Sequence, residues 1–191
     1  SHCMESYFGA PRTINVTDDI NLAIQRNIIR NMRIVENDDQ NLEARSELVY
    51  DSAMGENGVL KINKNTDFQC HMIQHQYGAY THTNHGLGLA VIHPALYRHI
   101  APAAPEQFSY WAQEVWNIDP ADKDDLAIAQ EGIDALEAFI KEMNLPTSFA
   151  ELGGEATDEI LHAVADTAIL TPGCAKKLSR DEIFEILCEC R

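Results

Sequence analysis

HMIQHQYGAYTHTNHGLGLAV, residues 71–91, holds four of the eight histidines of the chain. His71 and His75 are four residues apart, so a helix would place both side chains on one face. His85 follows Asn84 and precedes a run of small and apolar residues, which is typical of a buried helix packed closely against a neighbour. A short turn between two such helices would return His85 towards His71. The segment therefore predicts a pair of helices that brings histidines together.

These histidines are candidate metal ligands, because imidazole nitrogens bind iron, zinc, nickel and copper. A histidine pair four residues apart is more often two ordinary surface or core side chains. With His85 and the glycine-rich run added, a metal site and simple packing are equally good interpretations. Other motifs are weaker: Met72 follows His71 where zinc proteases have glutamate, and Glu159-x-x-His162 occurs once where di-iron bundles need two copies. The sequence contains no glycine-rich dinucleotide fingerprint and no phosphate loop.

Apolar residues recur at helical spacing through most of the chain, whereas the alternation typical of strands is nearly absent. Two stripes show the helical pattern: Ile20, Ile24, Ile28, Met32 and Val35, and Leu126, Ala129, Ile133, Leu136, Ile140 and Met143. Asp119 with Pro120 predicts one helix start, and Ser179 with Glu182 predicts a capping box at another. We expect an all-α domain over residues 1–191, with helices at 18–36, 40–55, 67–80, 86–99, 106–117, 121–143, 156–169 and 180–189 and a fragment at the first residues.

The composition narrows the class of partner. The net charge of -16 disfavours binding to nucleic acid and to anionic membrane surfaces, since both require positive charge. No apolar run approaches the roughly 20 residues that span a bilayer. The five cysteines are odd in number and their spacing suits neither a zinc ribbon nor a disulfide framework, which favours reduced thiols in a cytoplasm.

Five short motifs carry a family resemblance. His71-x-x-x-His75 is followed by His85-Gly86-x-Gly88-Leu89-Ala90, and Pro94-Ala95 continues the run. His2-Cys3-Met4-Glu5-Ser6-Tyr7 and the tripeptide Trp116-Asn117-Ile118 match at either side. Together they resemble the iron-containing alcohol dehydrogenases, in which the early helix reads His-x-x-Glu-x-Tyr. The tripeptide is similar to the branch with butanol dehydrogenases and aldehyde reductases.

The resemblance implies the C-terminal, all-helical metal domain of a two-domain enzyme with the dehydroquinate synthase-like fold, whose N-terminal α/β domain binds NAD or NADP. It implies that His2, His71 and His85 bind Fe²⁺ or Zn²⁺ together with an aspartate. The metal polarises the oxygen of a small alcohol or aldehyde during hydride transfer. His75 lines the site on the nicotinamide side, either to orient the cofactor or relay a proton, or as part of the pocket wall. A homodimer of the full-length enzyme is implied as well.

Two parts of the family pattern fall outside the 191 residues. The aspartate is expected four residues before His2, and the cofactor domain is expected further upstream. We therefore expect these residues alone to bind metal weakly or not at all, and to be inactive in hydride transfer. Cloning could also leave Ser1-His2, but Glu5 and Tyr7 stand at the family's distances from His2.

Two other classes remain as alternatives. A stand-alone helical module for metal binding or interaction would have a stop codon or an unrelated domain before Ser1, so the upstream coding sequence distinguishes it. An independent metal hydrolase fits less well, because the histidine segment lacks carboxylates.

Overall fold

The chain is described by a computed structural model that covers residues 1–64 and 66–191. Within these residues it forms helices and no strands, which confirms the predicted all-α class. The α-helices are α1 (His2–Tyr7), α2 (Val16–Asn37), α3 (Leu42–Glu56), α4 (Gln69–Thr81), α5 (His85–Ile100), α6 (Pro105–Trp116), α7 (Asp125–Glu142), α8 (Phe149–Leu152), α9 (Asp158–Thr167) and α10 (Arg180–Glu189). Two 3₁₀ turns lie at Val59–Lys61 and Ala101–Ala103.

Helix α5 forms the centre of the core. It is apolar around most of its circumference, and its buried side chains include Leu89, Ile92, Leu96 and Ile100. A helix of this kind is stable only when other elements surround it, and α4, α7, α8 and α10 all pack against it. Its first residue is His85, so the rigid core fixes the position of this histidine.

The connection between α4 and α5 has three residues, and each helix end is satisfied locally. His82 adopts a left-handed conformation with φ of 55° and donates its N–H to the carbonyl of Gly78 at 2.8 Å. The Asn84 side chain accepts the N–H of Leu87 at 3.1 Å, which caps the start of α5. The predicted short turn is confirmed, and it brings His85 back beside α4.

Helix α1 is held by polar contacts as well as by packing. The amide of Asn21 on α2 donates to the carbonyl of Cys3 at 2.9 Å, and Tyr7 is fully buried. Residue Leu60, in the first 3₁₀ turn, packs with Cys3 and Ile24 in a small separate core. These contacts bring His2, the first residue of α1, to the beginning of α4, beside Phe68 and His71.

One predicted helix start is wrong. Helix α7 begins at Asp125 and is capped by Asp124, whose side chain accepts the N–H of Ala127 at 2.8 Å. The carboxylate of Asp119 instead accepts the N–H of Ala121 within a non-helical loop. Asp122 takes a left-handed φ of 55°, which a continuing helix does not allow. The capping box at Ser179, by contrast, is present.

The stripe on α2 borders a cavity and is only partly packed. Ile24 is buried, whereas Ile28 and Met32 are half-buried and line an apolar cavity of about 330 Å³. His93 of α5 also lines this cavity, and its Nε2 is hydrogen-bonded to the hydroxyl of Ser1 at 2.7 Å. Trp111 lies in the core and donates to the side chain of Gln25 at 2.8 Å.

None of the helices in the described part of the chain has the length and apolar character that crossing a membrane would require. All five cysteines are free thiols, and Cys3, Cys70 and Cys190 are buried.

Candidate metal centre

Four histidine rings form one cluster where α1, α4 and α5 meet. The ring centroid of His71 lies 4.6 Å from that of His2, 5.0 Å from that of His85 and 5.9 Å from that of His75. His75 and His85 stack with centroids 5.0 Å apart. Phe68 closes one side, with its ring edge-on to His2 and His71. The convergence of these histidines, expected from the sequence, is therefore observed.

His71 is the buried member of the cluster, and its orientation is fixed by Glu5. The side chain is 4 % exposed, and its Nδ1 is hydrogen-bonded to Oε2 of Glu5. A carboxylate can only accept, so Nδ1 carries the hydrogen and Nε2 is left as a lone-pair donor. Among the residues that the structure describes, none bonds to this Nε2. A buried nitrogen without a partner is costly unless a ligand satisfies it.

His85 is held in the same way, but by an amide. Its Nδ1 is hydrogen-bonded to Oε1 of Gln74, a side chain on α4 that is 1 % exposed. Ligand histidines commonly donate their second ring nitrogen to an oxygen, which sets the tautomer and the ring orientation. His85 therefore also has Nε2 free to bind a metal ion.

His2 is more exposed than His71 and is engaged by a carboxylate. Its Nε2 lies 3.2 Å from Oε2 of Glu56, the last residue of α3, and the two side chains are 43% and 60% exposed. The amine of Lys61 lies 3.2 Å from the other oxygen of Glu56. The third candidate ligand is therefore paired with a carboxylate through its Nε2.

This pairing limits how well the cluster fits a metal as it stands. In residues 1–64 and 66–191, no three His, Cys, Asp or Glu side chains are arranged so that they could hold an ion. The chemistry of the donors nevertheless fits Fe²⁺ or Zn²⁺, and two of the three imidazoles are already oriented. Metal binding through Nε2 of all three would require His2 to release Glu56.

Electrostatics favour the neutral form of two members of the cluster, His2 and His85. The pKa values of His2 and His85 lie below the ordinary value of 6.5, first because of partial burial and then because of repulsion from His71. Metal ions bind the neutral form, so a lowered pKa reduces competition from protons.

A comparison with protein families identifies the family of this chain. Residues 1–190 match the model of the Fe-containing alcohol dehydrogenase family, C-terminal part. The chain belongs to this family. The resemblance predicted from the histidine signature is thereby confirmed.

Similar sequences come from the branch that the sequence indicated. The probable NADH-dependent butanol dehydrogenase 1 of Bacillus subtilis is 31% identical over 98% of this chain and 48% of its own length. The NADH-dependent butanol dehydrogenase A of Clostridium acetobutylicum is 29% identical over 97% of this chain and 48% of its own length. The chain thus spans about half the length of these relatives.

Solved structures support the fold. The NADH-dependent butanol dehydrogenase A of Thermotoga maritima superposes with a TM-score of 0.89 at 23% identity, over 99% of this chain and 49% of that chain. At this identity the likeness concerns the fold: an all-helical unit that corresponds to half of a longer enzyme.

The side chains that orient the histidines were not recognised from the sequence. Glu5 stood in the matching motif without a role, and Gln74 and Glu56 had no assignment. Spacing gives a partial signal, since Glu5 lies one helical turn after His2 and Gln74 lies one turn after His71.

Three of the histidines without an expected role have ordinary surroundings outside the cluster. His93 bonds to Ser1, His99 lies 3.2 Å from a carboxylate oxygen of Glu182, and His162 stacks on Phe184 with centroids 3.7 Å apart.

Proposed function

We propose that this chain is the metal-binding half of an NAD(P)-dependent alcohol dehydrogenase or aldehyde reductase, with His2, His71 and His85 as ligands of Fe²⁺ or Zn²⁺. The observation that carries the proposal concerns His71. This buried imidazole is held through Nδ1 by Glu5, and its Nε2 has no hydrogen-bond partner among the described residues. The names of the similar butanol dehydrogenases support the reaction class.

A divalent ion at this place would act as a Lewis acid on the oxygen of a small alcohol or aldehyde. The chain's own part is to hold three imidazoles around one point and to shield one side of that point with Phe68. His75 is exposed and stacks on His85, at the open edge of the cluster. There it would orient the nicotinamide, or take the proton that the alcohol loses as hydride leaves for the cofactor.

Hydride transfer itself is proposed for the whole enzyme and not for these 191 residues. The nicotinamide site and an aspartate ligand are assigned to the upstream half that the longer relatives contain. We place the enzyme in the cytoplasm, where its five free thiols stay reduced, and we propose that it is a homodimer.

Titration of the chain with Co²⁺, followed by visible absorbance, tests the metal site. His85→Ala is the informative variant, because the side chain is exposed and its loss leaves the core intact. We expect weak Co²⁺ binding by the parent chain and at least a tenfold loss of affinity in the variant, since one of the proposed ligands is removed. His82→Asn is the matched control, because asparagine tolerates the left-handed conformation at this position.

Equal affinity of the parent chain and His85→Ala would contradict the ligand assignment. The activity proposal is tested on the full-length parent enzyme by NADH and NADPH oxidation with short aldehydes. Absence of turnover with intact metal binding would favour a helical metal-binding module without catalysis.

A further inference from the structure

Gln74 is a buried polar side chain that the ligand pattern does not include. It lies on α4 between the ligand candidate His71 and the neighbouring His75. Its amide oxygen, Oε1, is hydrogen-bonded to Nδ1 of His85. A glutamine that served only to fill space would leave this oxygen unpaired, which costs about 1–3 kcal/mol for a buried acceptor.

Two glycines make room for the Gln74 amide. A Cβ atom on Gly88 would lie 2.7 Å from Nε2 and 2.9 Å from Cγ of Gln74, and a Cβ on Gly78 would lie 3.1 Å from the same Nε2. Both glycines are in helices, where glycine costs about 1 kcal/mol relative to alanine. Helices α4 and α5 are thus shaped around the Gln74 side chain at the point where it meets His85.

We propose that Gln74 is a positioning residue that selects the tautomer of His85. This inference rests on the proposed metal site, since its consequence is to keep Nε2 of His85 available as a ligand. With the amide oxygen towards Nδ1, the hydrogen sits on Nδ1 and Nε2 presents its lone pair. With the amide reversed, Nδ1 accepts, Nε2 carries the hydrogen, and His85 cannot ligate.

The tautomers of the two candidate ligands on α4 and α5, His71 and His85, are therefore fixed to different degrees. Glu5 is a carboxylate and can only accept, so it permits one tautomer of His71. Gln74 has one accepting and one donating end, so the orientation of its amide decides the state of His85. Replacement by glutamate removes that choice, and replacement by methionine removes the acceptor at similar volume.

Two-bond ¹H–¹⁵N correlation spectra of the metal-free chain report which ring nitrogen of His85 carries hydrogen. The spectra are recorded well above the ordinary histidine pKa of about 6.5, where imidazole is neutral. We expect the Nδ1–H tautomer in the parent chain and in Gln74→Glu, and a shift towards Nε2–H in Gln74→Met. Gln76→Met, two residues further along α4, is the matched control.

The same variants are then titrated with Co²⁺. Loss of a hydrogen bond to a ligand histidine costs about 10–100-fold in metal affinity. We expect a loss in this range for Gln74→Met, and no loss for Gln74→Glu or Gln76→Met.

An unchanged His85 tautomer in Gln74→Met would overturn the inference, whatever the metal affinity. If Gln74→Met fails to fold, Nε2–H in the isosteric Gln74→Glu variant would overturn it instead. Failure of the parent chain to bind Co²⁺ would count against the proposed metal site alone, because the tautomer is read without metal.

Discussion

Replacing Glu5 with glutamine tests whether a carboxylate is required behind the buried histidine. Glu5 is 4 % exposed, its Oε1 accepts the N–H of Cys70 at 2.6 Å, and its Oε2 accepts Nδ1–H of His71. Two donors therefore need two oxygens at this place. Glutamine offers one oxygen and one NH₂ group, so one of the two hydrogen bonds must be lost or reversed.

The size of the effect follows from which bond fails. If Cys70 loses its acceptor, a buried N–H is left unpaired. If the NH₂ group faces His71, the imidazole changes tautomer and its Nε2 carries a hydrogen into the cluster. Hydrogen bonds to charged groups contribute about 1.5–3 kcal/mol, so we expect Glu5→Gln to lower the free energy of unfolding by this amount. We also expect a loss of about 10–100-fold in metal affinity, as is usual for a group that orients a ligand.

Urea unfolding and Co²⁺ titration measure the two effects separately. Glu159→Gln is the control, because Glu159 is exposed on α9, far along the chain from the cluster. A Glu5→Gln chain with unfolding free energy within about 0.5 kcal/mol of the parent, the range of ordinary surface substitutions, and with unchanged metal affinity would refute the role of Glu5.

Two further predictions concern the pairing of His2 and the burial of His93. Glu56→Gln removes the carboxylate that engages Nε2 of His2. Because exposed ion pairs contribute about 0.2–1 kcal/mol, we expect the Co²⁺ affinity of the variant to rise by up to about fivefold. A fall in affinity would mean that Glu56 itself supports the metal. Burial, with repulsion from the N-terminal amine and His71, holds the pKa of His93 well below 6.5, so this side chain stays neutral in the folded protein while the unfolded chain takes up a proton. The contribution of this group to the free energy of unfolding is therefore complete above about pH 6.5 and falls by about 1.4 kcal/mol for each pH unit below it. Urea midpoints measured at neutral and mildly acidic pH should decline less in His93→Gln than in the parent chain. An equal decline in the two proteins would contradict the argument.

The helices were predictable because their signals are local. The spacing of apolar residues indicated α7, and the capping box of Ser179 and Glu182 indicated the start of α10. The wrong start at Asp119 shows the limit of such signals, since Asp119 and Asp124 are both good caps by residue type. The left-handed turn at Asp122 decides between them, and it is set by the packing of the loop and not by the caps themselves.

The site was predictable to the level of which histidines meet, but not to the level of their chemistry. Spacing along α4 and α5 brings His71 and His85 together in any sequence of this pattern. The partner of each Nδ1 comes from a different helix in each case, Glu5 on α1 for one and Gln74 on α4 for the other. Spacing places Glu5 and Gln74 one turn from a histidine, but it does not show which imidazole each of them contacts, because that depends on how the helices pack.

The three candidate ligands consequently start from different states, and this difference governs how a metal would enter. His71 presents Nε2 as long as Glu5 accepts from its Nδ1, because a carboxylate permits no other neutral tautomer. His85 presents Nε2 only while the Gln74 amide keeps its orientation. His2 must leave Glu56 before its Nε2 can ligate. If an ion arrives from solvent, it meets two prepared nitrogens first and recruits His2 last, so the exposed pair at the end of α3, and not the buried core, sets the cost of closing the site.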